Sequence, residues 1–195
     1  MVRNPMIEPG PEPEPSVGGA PEDPLTGLDD LAHQVAASGI HTVGGDVLVD
    51  DRIWDPVVLD GVPISPIVVN DNLVDIVITP GAAVGDPTTA SWRPQSSAYT
   101  VENLVSTADA DSGFDVTITE QGGILTVTGT IPLGAEPVVQ TYQVPDPAAW
   151  ARTLFIEALE RAGVTVTADP RTPSSSELPP VADLDGAIPV ATFTS

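Results

Sequence analysis

The sequence predicts an α+β protein, a two-helix α/β layer interrupted by an antiparallel β insertion. Aromatic residues make up only 4% of the chain, and short alternating runs of Val, Ile, Leu and Thr are frequent, as in proteins built from many small strands. Two segments with helical spacing flank these runs. We therefore place the α/β domain at residues 23–56 plus 137–170 and the inserted β domain at residues 57–136.

The first half of the α/β layer follows an acidic tail. Residues 1–22 contain a repeated Pro-Glu stretch, which removes backbone donors and adds charge, so we expect a disordered tail. Apolar residues at helical spacing then predict a helix over residues 28–38, with Thr26 as its N-cap and Gly39 as its stop. The run DVLVD predicts a strand over residues 46–50.

The second half of the layer contains a longer helix. Asp146 is placed to cap it, Pro147 suits the first helical position, and Gly163 is expected to end it. One face of this helix is apolar and includes Trp150. After each helix a glycine precedes a β-branched residue and a short strand-like run, so we expect the two ends of the chain to form one layer.

The region between the helices is predicted to be all strand. The strands are expected at residues 73–79, 88–92, 100–106, 114–119, 124–130 and 138–144. The Gln121-Gly122-Gly123 turn joins two alternating runs and predicts a half-buried hairpin. Residues 171–195 are predicted to be a linker followed by a truncated strand that stops at Ser195.

Composition excludes several classes of function. The formal charge of −22 repels phosphate backbones and anionic headgroups, so nucleic-acid binding is disfavoured. The absence of cysteine excludes disulfides and thiolate chemistry. No apolar run approaches the roughly 18–20 residues needed to cross a bilayer, and the N-terminus lacks an apolar signal region, so we expect no export signal or membrane insertion.

Several stretches, taken in order, resemble one enzyme family. Val17-Gly18-Gly19 followed by Asp23-Pro24-Leu25-Thr26 gives a GG-x-DP-x-L-T-like segment, and LDDLAHQVAASGIHTVGGDVLVDD comes next. Further along stand Asn70, Asn72, Pro80 and Gly81, then VPDPAAWARTLFIEALERAGVTV and VATFTS. Over roughly residues 17–195 this order resembles the D-alanyl-D-alanine carboxypeptidase/endopeptidase family of penicillin-binding proteins, peptidase family S13.

The resemblance implies that the chain holds only the inserted, non-catalytic region of such an enzyme. In that family the S-x-x-K helix precedes a long insertion, and the S-x-N and K-T-G motifs follow it. Two of these motifs need a lysine beside the acylated serine. All six basic residues of this chain are arginines, and Ser65, Ser97 and Ser112 have no Asn two residues on. We therefore assign no catalytic residue and expect the chain alone to be inactive.

A hydrolytic triad and acidic sites are the alternatives. His33 or His41 with Ser38 and Asp46 would resemble a serine-hydrolase set, but no G-x-S-x-G elbow is present, so surface histidines are expected. The acidic pairs at 29–30 and 50–51 are expected to be solvated. The sequence leaves open a calcium loop built from Asp109, Asp111, Asp115 and Glu120. Its glycine, Gly113, falls one position early, so a hairpin turn is favoured.

Tryptophans are the candidate ligand-binding residues. Trp54 and Trp92 are candidates for stacking on a cell-wall sugar, whereas Trp150 is expected in the core. We expect no cofactor and no metal site. Peptidoglycan or a catalytic companion chain is the expected partner, and the family context implies an extracytoplasmic, cell-envelope location.

Three functional hypotheses follow. The first is an accessory region of a serine-type D-Ala-D-Ala carboxypeptidase in peptidoglycan metabolism, present as a fragment or a truncated gene product. The second is a standalone cell-wall or protein-binding module. The third is an independent enzyme whose class the sequence does not indicate.

Overall fold

The computed structural model describes residues 23–55, 57–59, 62–174, 176–184 and 186–194. The predicted tail at residues 1–22, the Val17-Gly18-Gly19 motif and Ser195 lie outside the described residues. The helices are α1 (Thr26–Ala37), α2 (Pro147–Arg161) and α3 (Val181–Leu184). The strands are β1 (Thr42–Val43), β2 (Val57–Leu59), β3 (Val62–Ile64), β4 (Leu73–Thr79), β5 (Thr89–Arg93), β6 (Thr100–Ala108), β7 (Asp115–Gln121), β8 (Ile124–Pro132), β9 (Val138–Gln143) and β10 (Thr165–Val166).

The α+β class is confirmed, and the two ends of the chain form one α/β layer. Strand β1 pairs with β10 in parallel, so Thr42 lies opposite Thr165 and Val43 opposite Val166. Helices α1 and α2 pack on each other around a small apolar cluster. Its buried members are Ala32, Ala158, Leu159 and Val164.

Helix α2 follows the sequence prediction closely. The Asp146 carboxylate accepts a hydrogen bond from the Ala149 N–H at 3.0 Å, and Pro147 is the first helical residue. For α1 the predicted cap is wrong, because Thr26 is the first residue of the helix and its hydroxyl donates to the Asp23 carbonyl at 2.8 Å. Asp23 also accepts the Leu25 N–H, which fixes the entry into the helix.

The six predicted strands of the middle region are all present, as β4 to β9. They form two three-stranded sheets with the orders β5-β4-β9 and β6-β8-β7. Most pairs are antiparallel, but β6 pairs with β8 in parallel. Alternating polarity predicts which face of a strand is buried, and it carries no information on the direction of the neighbouring strand. Strand β9 begins beyond the predicted boundary at residue 136 and pairs with β4.

The predicted hairpin between β7 and β8 is confirmed. Gly122 and Gly123 form its two-residue loop with φ of 60° and 84°. A turn of this kind needs positive φ at both positions, and glycine adopts it without steric cost. Val116 and Ile118 of β7 pack against the core, as the alternation predicts.

One larger core joins the inserted sheets to the helices. Its buried residues come from the sheets, from the residues around the start of α1 and from α2. They are Leu25, Val74, Ile76, Ile78, Val105, Leu125, Val127, Ile131, Val144, Trp150 and Leu154. Because Leu28 contacts both this core and the smaller cluster, the insertion and the α/β layer are packed together.

Three predictions for the segments before and after the inserted sheets are wrong or incomplete. Residues 46–50 form no strand: the Val47 carbonyl and the Asp46 carboxylate accept hydrogen bonds from an arginine side chain, and Asp46 also accepts the Ser174 hydroxyl. Residues 188–194 also form no strand; the Gln34 side-chain amide instead bonds both backbone groups of Thr192, at 2.9 and 3.0 Å. The short helix α3 lies in the predicted linker.

The Asn70 to Gly81 segment has a clear structural role. Asn70, Asp71 and Asn72 all have positive φ, between 47° and 56°, a conformation that Asn tolerates better than most residues. Buried Asn72 accepts the Val69 N–H and donates to the Ile67 carbonyl, so it orders the entry into β4. At the other end of β4, a Cβ on Gly81 would lie 2.6 Å from the Asp86 Cβ.

Candidate functional site

A buried arginine holds the layer together at the centre of the molecule. Arg152 of α2 is only 6% exposed, and its guanidinium has four hydrogen-bond acceptors. Nε donates to the Val47 carbonyl at 2.8 Å, and Nη1 donates to the carbonyls of Asp169 at 3.1 Å and Thr172 at 2.9 Å. Nη2 donates to Asp46 Oδ1 at 2.6 Å. Every acceptor lies outside α2, so Arg152 ties the segments on both sides of the helix to it.

Asp46 completes this cluster. Its second carboxylate oxygen accepts the Ser174 hydroxyl at 2.6 Å. The Ser174 hydrogen bond and then the Arg152 guanidinium hold the pKa of Asp46 well below its ordinary range. A carboxylate of such low basicity is a poor general base for a serine hydroxyl. The Arg152–Asp46–Ser174 cluster is therefore built to hold structure and is unsuited to activating a nucleophile.

A groove of about 600 Å³ lies where the α/β layer meets the inserted sheet. We name it the Trp92 groove, and it is lined by Asp23, Pro24, Leu25, Asp29, Trp92, Arg93, Pro94, Gln95 and Arg161. Arg161 at the end of α2 bonds Asp29 Oδ1 through Nη2 at 2.6 Å and Nε at 3.2 Å. Arg93 bonds Asp75 Oδ2 at 3.1 Å. Trp92 packs against the main core and is only partly buried.

Another opening, of about 480 Å³, lies at the opposite end of α2, beside its N-terminus. Tyr99 lines it and meets Tyr142 edge to face, with ring centroids 5.3 Å apart. Burial, and then Tyr142, raises the pKa of Tyr99, so this phenol stays neutral at physiological pH. Trp150 is 3% exposed, and its indole N–H has no partner among the described residues.

The structure separates the two tryptophans proposed for stacking. Trp92 lines the groove, whereas Trp54 is 49% exposed in the loop after residue 50 and does not line it. Trp150 is buried in the core, as the apolar helix face predicts. A stacking role for Trp54 or Trp92 stays a prediction.

The alternative sites show other contacts. His33 Nδ1 contacts the Asp29 carbonyl, and the Ser38 hydroxyl donates to the Val35 carbonyl, so these two side chains are not bonded to each other. Asp46 is bonded to Arg152 and Ser174, and the His41 carbonyl accepts the Thr165 N–H at 3.0 Å. Asp115 and Glu120 lie at the two ends of β7, roughly 16 Å apart at the usual rise of a strand. Within the described ranges, no three His, Asp or Glu side chains converge on a metal position. No helix there is both long and apolar enough to span a bilayer.

Sequence reasoning missed the Arg152 cluster and the groove. The only signal for the first was an arginine within a helix segment whose neighbours Ala151, Thr153 and Leu154 are uncharged. The groove brings together residues more than 130 positions apart, such as Asp29 and Arg161. No local sequence pattern predicts that contact.

Comparisons with known proteins agree with this architecture. The model of the D-Ala-D-Ala carboxypeptidase 3 (S13) family matches residues 15–182. A D-alanyl-D-alanine carboxypeptidase from Actinomadura sp. (strain R39) is 35% identical over 162 residues, covering 73% of this chain and 30% of that relative. The resemblance inferred from the sequence motifs is confirmed.

Solved structures agree in fold. Penicillin binding protein 4 from Haemophilus influenzae, complexed with a β-lactam, superposes with a TM-score of 0.53 at 18% identity, over 72% of this chain and 31% of that one. A second structure of the same protein gives a TM-score of 0.56 at 15% identity, over 77% and 37%. The chain thus spans about a third of the length of the relatives that it matches.

Replacing Arg152 by methionine should destabilise the protein strongly. The carbonyls of Val47, Asp169 and Thr172 would lose a buried donor, so we expect a loss of about 2–4 kcal/mol in the free energy of unfolding. Arg161→Met is the matched control, because Arg161 is 43% exposed and its ion pair contributes under about 1 kcal/mol. Urea unfolding measures both. Equal effects would contradict a central role for Arg152.

Acid should weaken the contribution of Asp46. A carboxyl whose pKa is lower in the folded protein takes up its proton first in the unfolded chain, so its stabilisation is complete above about pH 4 and declines as the pH falls below that. We expect the wild type to exceed Asp46→Asn in unfolding free energy at neutral pH and the difference to shrink in acid. A difference that does not change with pH would refute this.

Proposed function

The chain belongs to the D-Ala-D-Ala carboxypeptidase 3 (S13) family, and we propose from this premise that it is an accessory, non-acylating region of a serine-type D-Ala-D-Ala carboxypeptidase. One observation supports the proposal above all others. The 195 residues contain no lysine, and the family's S-x-x-K and K-T-G motifs each require one. The serine, its base and the third motif would then be supplied by residues outside this sequence.

The contacts of the described serines support the same proposal. Acylation needs a hydroxyl within hydrogen-bond reach of a group that can take its proton. Ser174 donates to Asp46, whose pKa is lowered, and Ser38 donates to a backbone carbonyl. Buried Ser65 accepts the Ile67 N–H in a local turn. None of these three hydroxyls is bonded to a histidine or another base suited to acyl transfer.

In this proposal the chain has a structural role in its parent enzyme and no catalytic one. The helices and the inserted sheets share one core, so the chain would act as one packed unit within its parent enzyme. In that role it would act in peptidoglycan metabolism at the cell envelope, where the parent would trim terminal D-Ala from wall peptides.

Labelling with a fluorescent penicillin tests the absence of acylation. We expect no covalent adduct on the purified chain after denaturing electrophoresis, because no lysine is present to activate a serine. The D-alanyl-D-alanine carboxypeptidase from Actinomadura sp. is the positive control. A stoichiometric adduct, or release of D-Ala from a wall peptide by the chain, would overturn the proposal.

A standalone cell-wall-binding module is the second candidate. The Trp92 groove favours it, because an open groove that combines an aromatic ring with several planar polar side chains suits ligand binding. The charge of −22 disfavours binding through ionic contacts with an anionic wall.

A pull-down on purified peptidoglycan tests this second candidate. If the contact is stacking and neutral hydrogen bonding, retention should be unchanged or stronger as salt rises, because salt screens the repulsion between like charges. Albumin, also acidic, serves as the control for non-specific retention. Absence of retention, or retention that high salt removes, would reject the candidate.

A further inference from the structure

We infer that the Trp92 groove binds a neutral saccharide chain, the glycan part of the wall polymer and not its peptide. This inference rests on the second proposed function and names the ligand class of that site. It follows from three properties of the groove: its aromatic surface, the unused hydrogen-bonding atoms of its polar side chains, and the balance of its charges.

The aromatic surface is held in a fixed position. Trp92 lies near the end of β5, paired with Ile76 of the central strand β4, and it packs against the main core. Trp92 is only partly buried and also lines the groove. A ring fixed in this way loses little conformational entropy on binding, and it offers an apolar surface to the C–H face of a sugar ring.

The polar side chains beside Trp92 have donor and acceptor atoms that form no hydrogen bond among the described residues. Arg161 uses Nη2 and Nε on Asp29 Oδ1 alone, so among the described residues its Nη1 and the Asp29 Oδ2 make no hydrogen bond. Arg93 likewise uses only Nε, on Asp75. The exposed Gln95 amide adds a donor and an acceptor. Sugar hydroxyls both donate and accept, so adjacent hydroxyls match an acceptor and a donor placed side by side.

The charge balance favours a neutral ligand. Two aspartates and two arginines line the groove, and Asp75, which pairs with Arg93, adds one more carboxylate beside it, so the local charge is close to zero on a protein whose net charge is −22. A peptide bearing carboxylates would be repelled by the surrounding surface.

The test is an NMR titration with an oligomer of N-acetylglucosamine as the probe. The chain has three tryptophans, so its indole N–H groups give one signal for the groove and two internal controls, Trp54 and buried Trp150. We expect a saturable shift of the Trp92 signal alone. A stem peptide ending in D-Ala-D-Ala should leave that signal unmoved. No saturable shift, or a shift caused by the peptide, would overturn the inference.

Substitutions in and outside the groove test whether binding depends on the groove residues. Trp92→Ala should weaken binding about tenfold or more, and Trp54→Ala, the matched tryptophan outside the groove, should leave it unchanged. Gln95→Ala, at an exposed position that is not needed for folding, should weaken binding by about threefold. Equal binding by the wild type and both groove variants would overturn the inference.

The experiments distinguish failure of the binding-module proposal from failure of the saccharide-site inference. Retention on whole peptidoglycan without a Trp92 shift would reject the saccharide site and leave the binding module in place. A Trp92 shift with the oligomer, but no retention on the whole polymer, would leave a saccharide site in place, and it would reject both the standalone role and the wall glycan as the ligand. Neither result depends on penicillin labelling, which tests the accessory region of the carboxypeptidase.

Discussion

The guanidinium of Arg152 is the constraint on which the α/β layer depends. A charge that is 94% removed from solvent must find acceptors for its donors, because an unpaired buried charge is costly. Arg152 finds them in a carboxylate and in three carbonyls from the segments before and after the inserted sheets. The loop at residues 46–47 and the loop at residues 169–174 are thereby fixed to α2 without forming strands. In the run DVLVD, which does not pair in a sheet, Asp46 and Val47 are engaged by this guanidinium.

The inserted sheets extend this arrangement and do not form a separate body. Trp150 and Leu154 of α2 lie in the same core as Val74 and Ile76 of β4. The Glu157 carboxylate also accepts the Ser97 N–H at 2.7 Å, which ties the loop before β6 to the helix. Two openings form where this common core reaches the surface, one at each end of α2. The Trp92 groove lies where the end of α2 approaches the end of β5, and the surface between these two ends is left open.

Local chemistry allowed much of the fold to be predicted, and long-range contacts account for what was missed. The α2 helix is encoded by Asp146 and Pro147, and the hairpin by Gly122 and Gly123, so both could be predicted from a few adjacent residues. The parallel β6–β8 pair, the Arg152 cluster and the Arg161–Asp29 contact join residues more than 20 positions apart. Such contacts are decided by packing of the whole chain, and polarity patterns do not encode them. Of the candidate site, the sequence therefore indicated Trp92 but not the residues around it.

The arginines explain why the surface and the groove differ in charge. Arg52, Arg93, Arg152 and Arg161, four of the six basic residues, each pair with an aspartate. These pairs neutralise four carboxylates, two of them beside or in the groove, and most of the remaining acidic residues have no cation to balance them. A chain of this composition repels anions over most of its surface and keeps a locally neutral region only where such pairs cluster. The same scarcity of basic residues, with no lysine among them, both removes the base that acyl transfer requires and limits ligands to neutral or cationic groups. The region beside Trp92, where arginines offset most of the neighbouring carboxylates next to an aromatic ring, is therefore the part of this surface best suited to a neutral ligand.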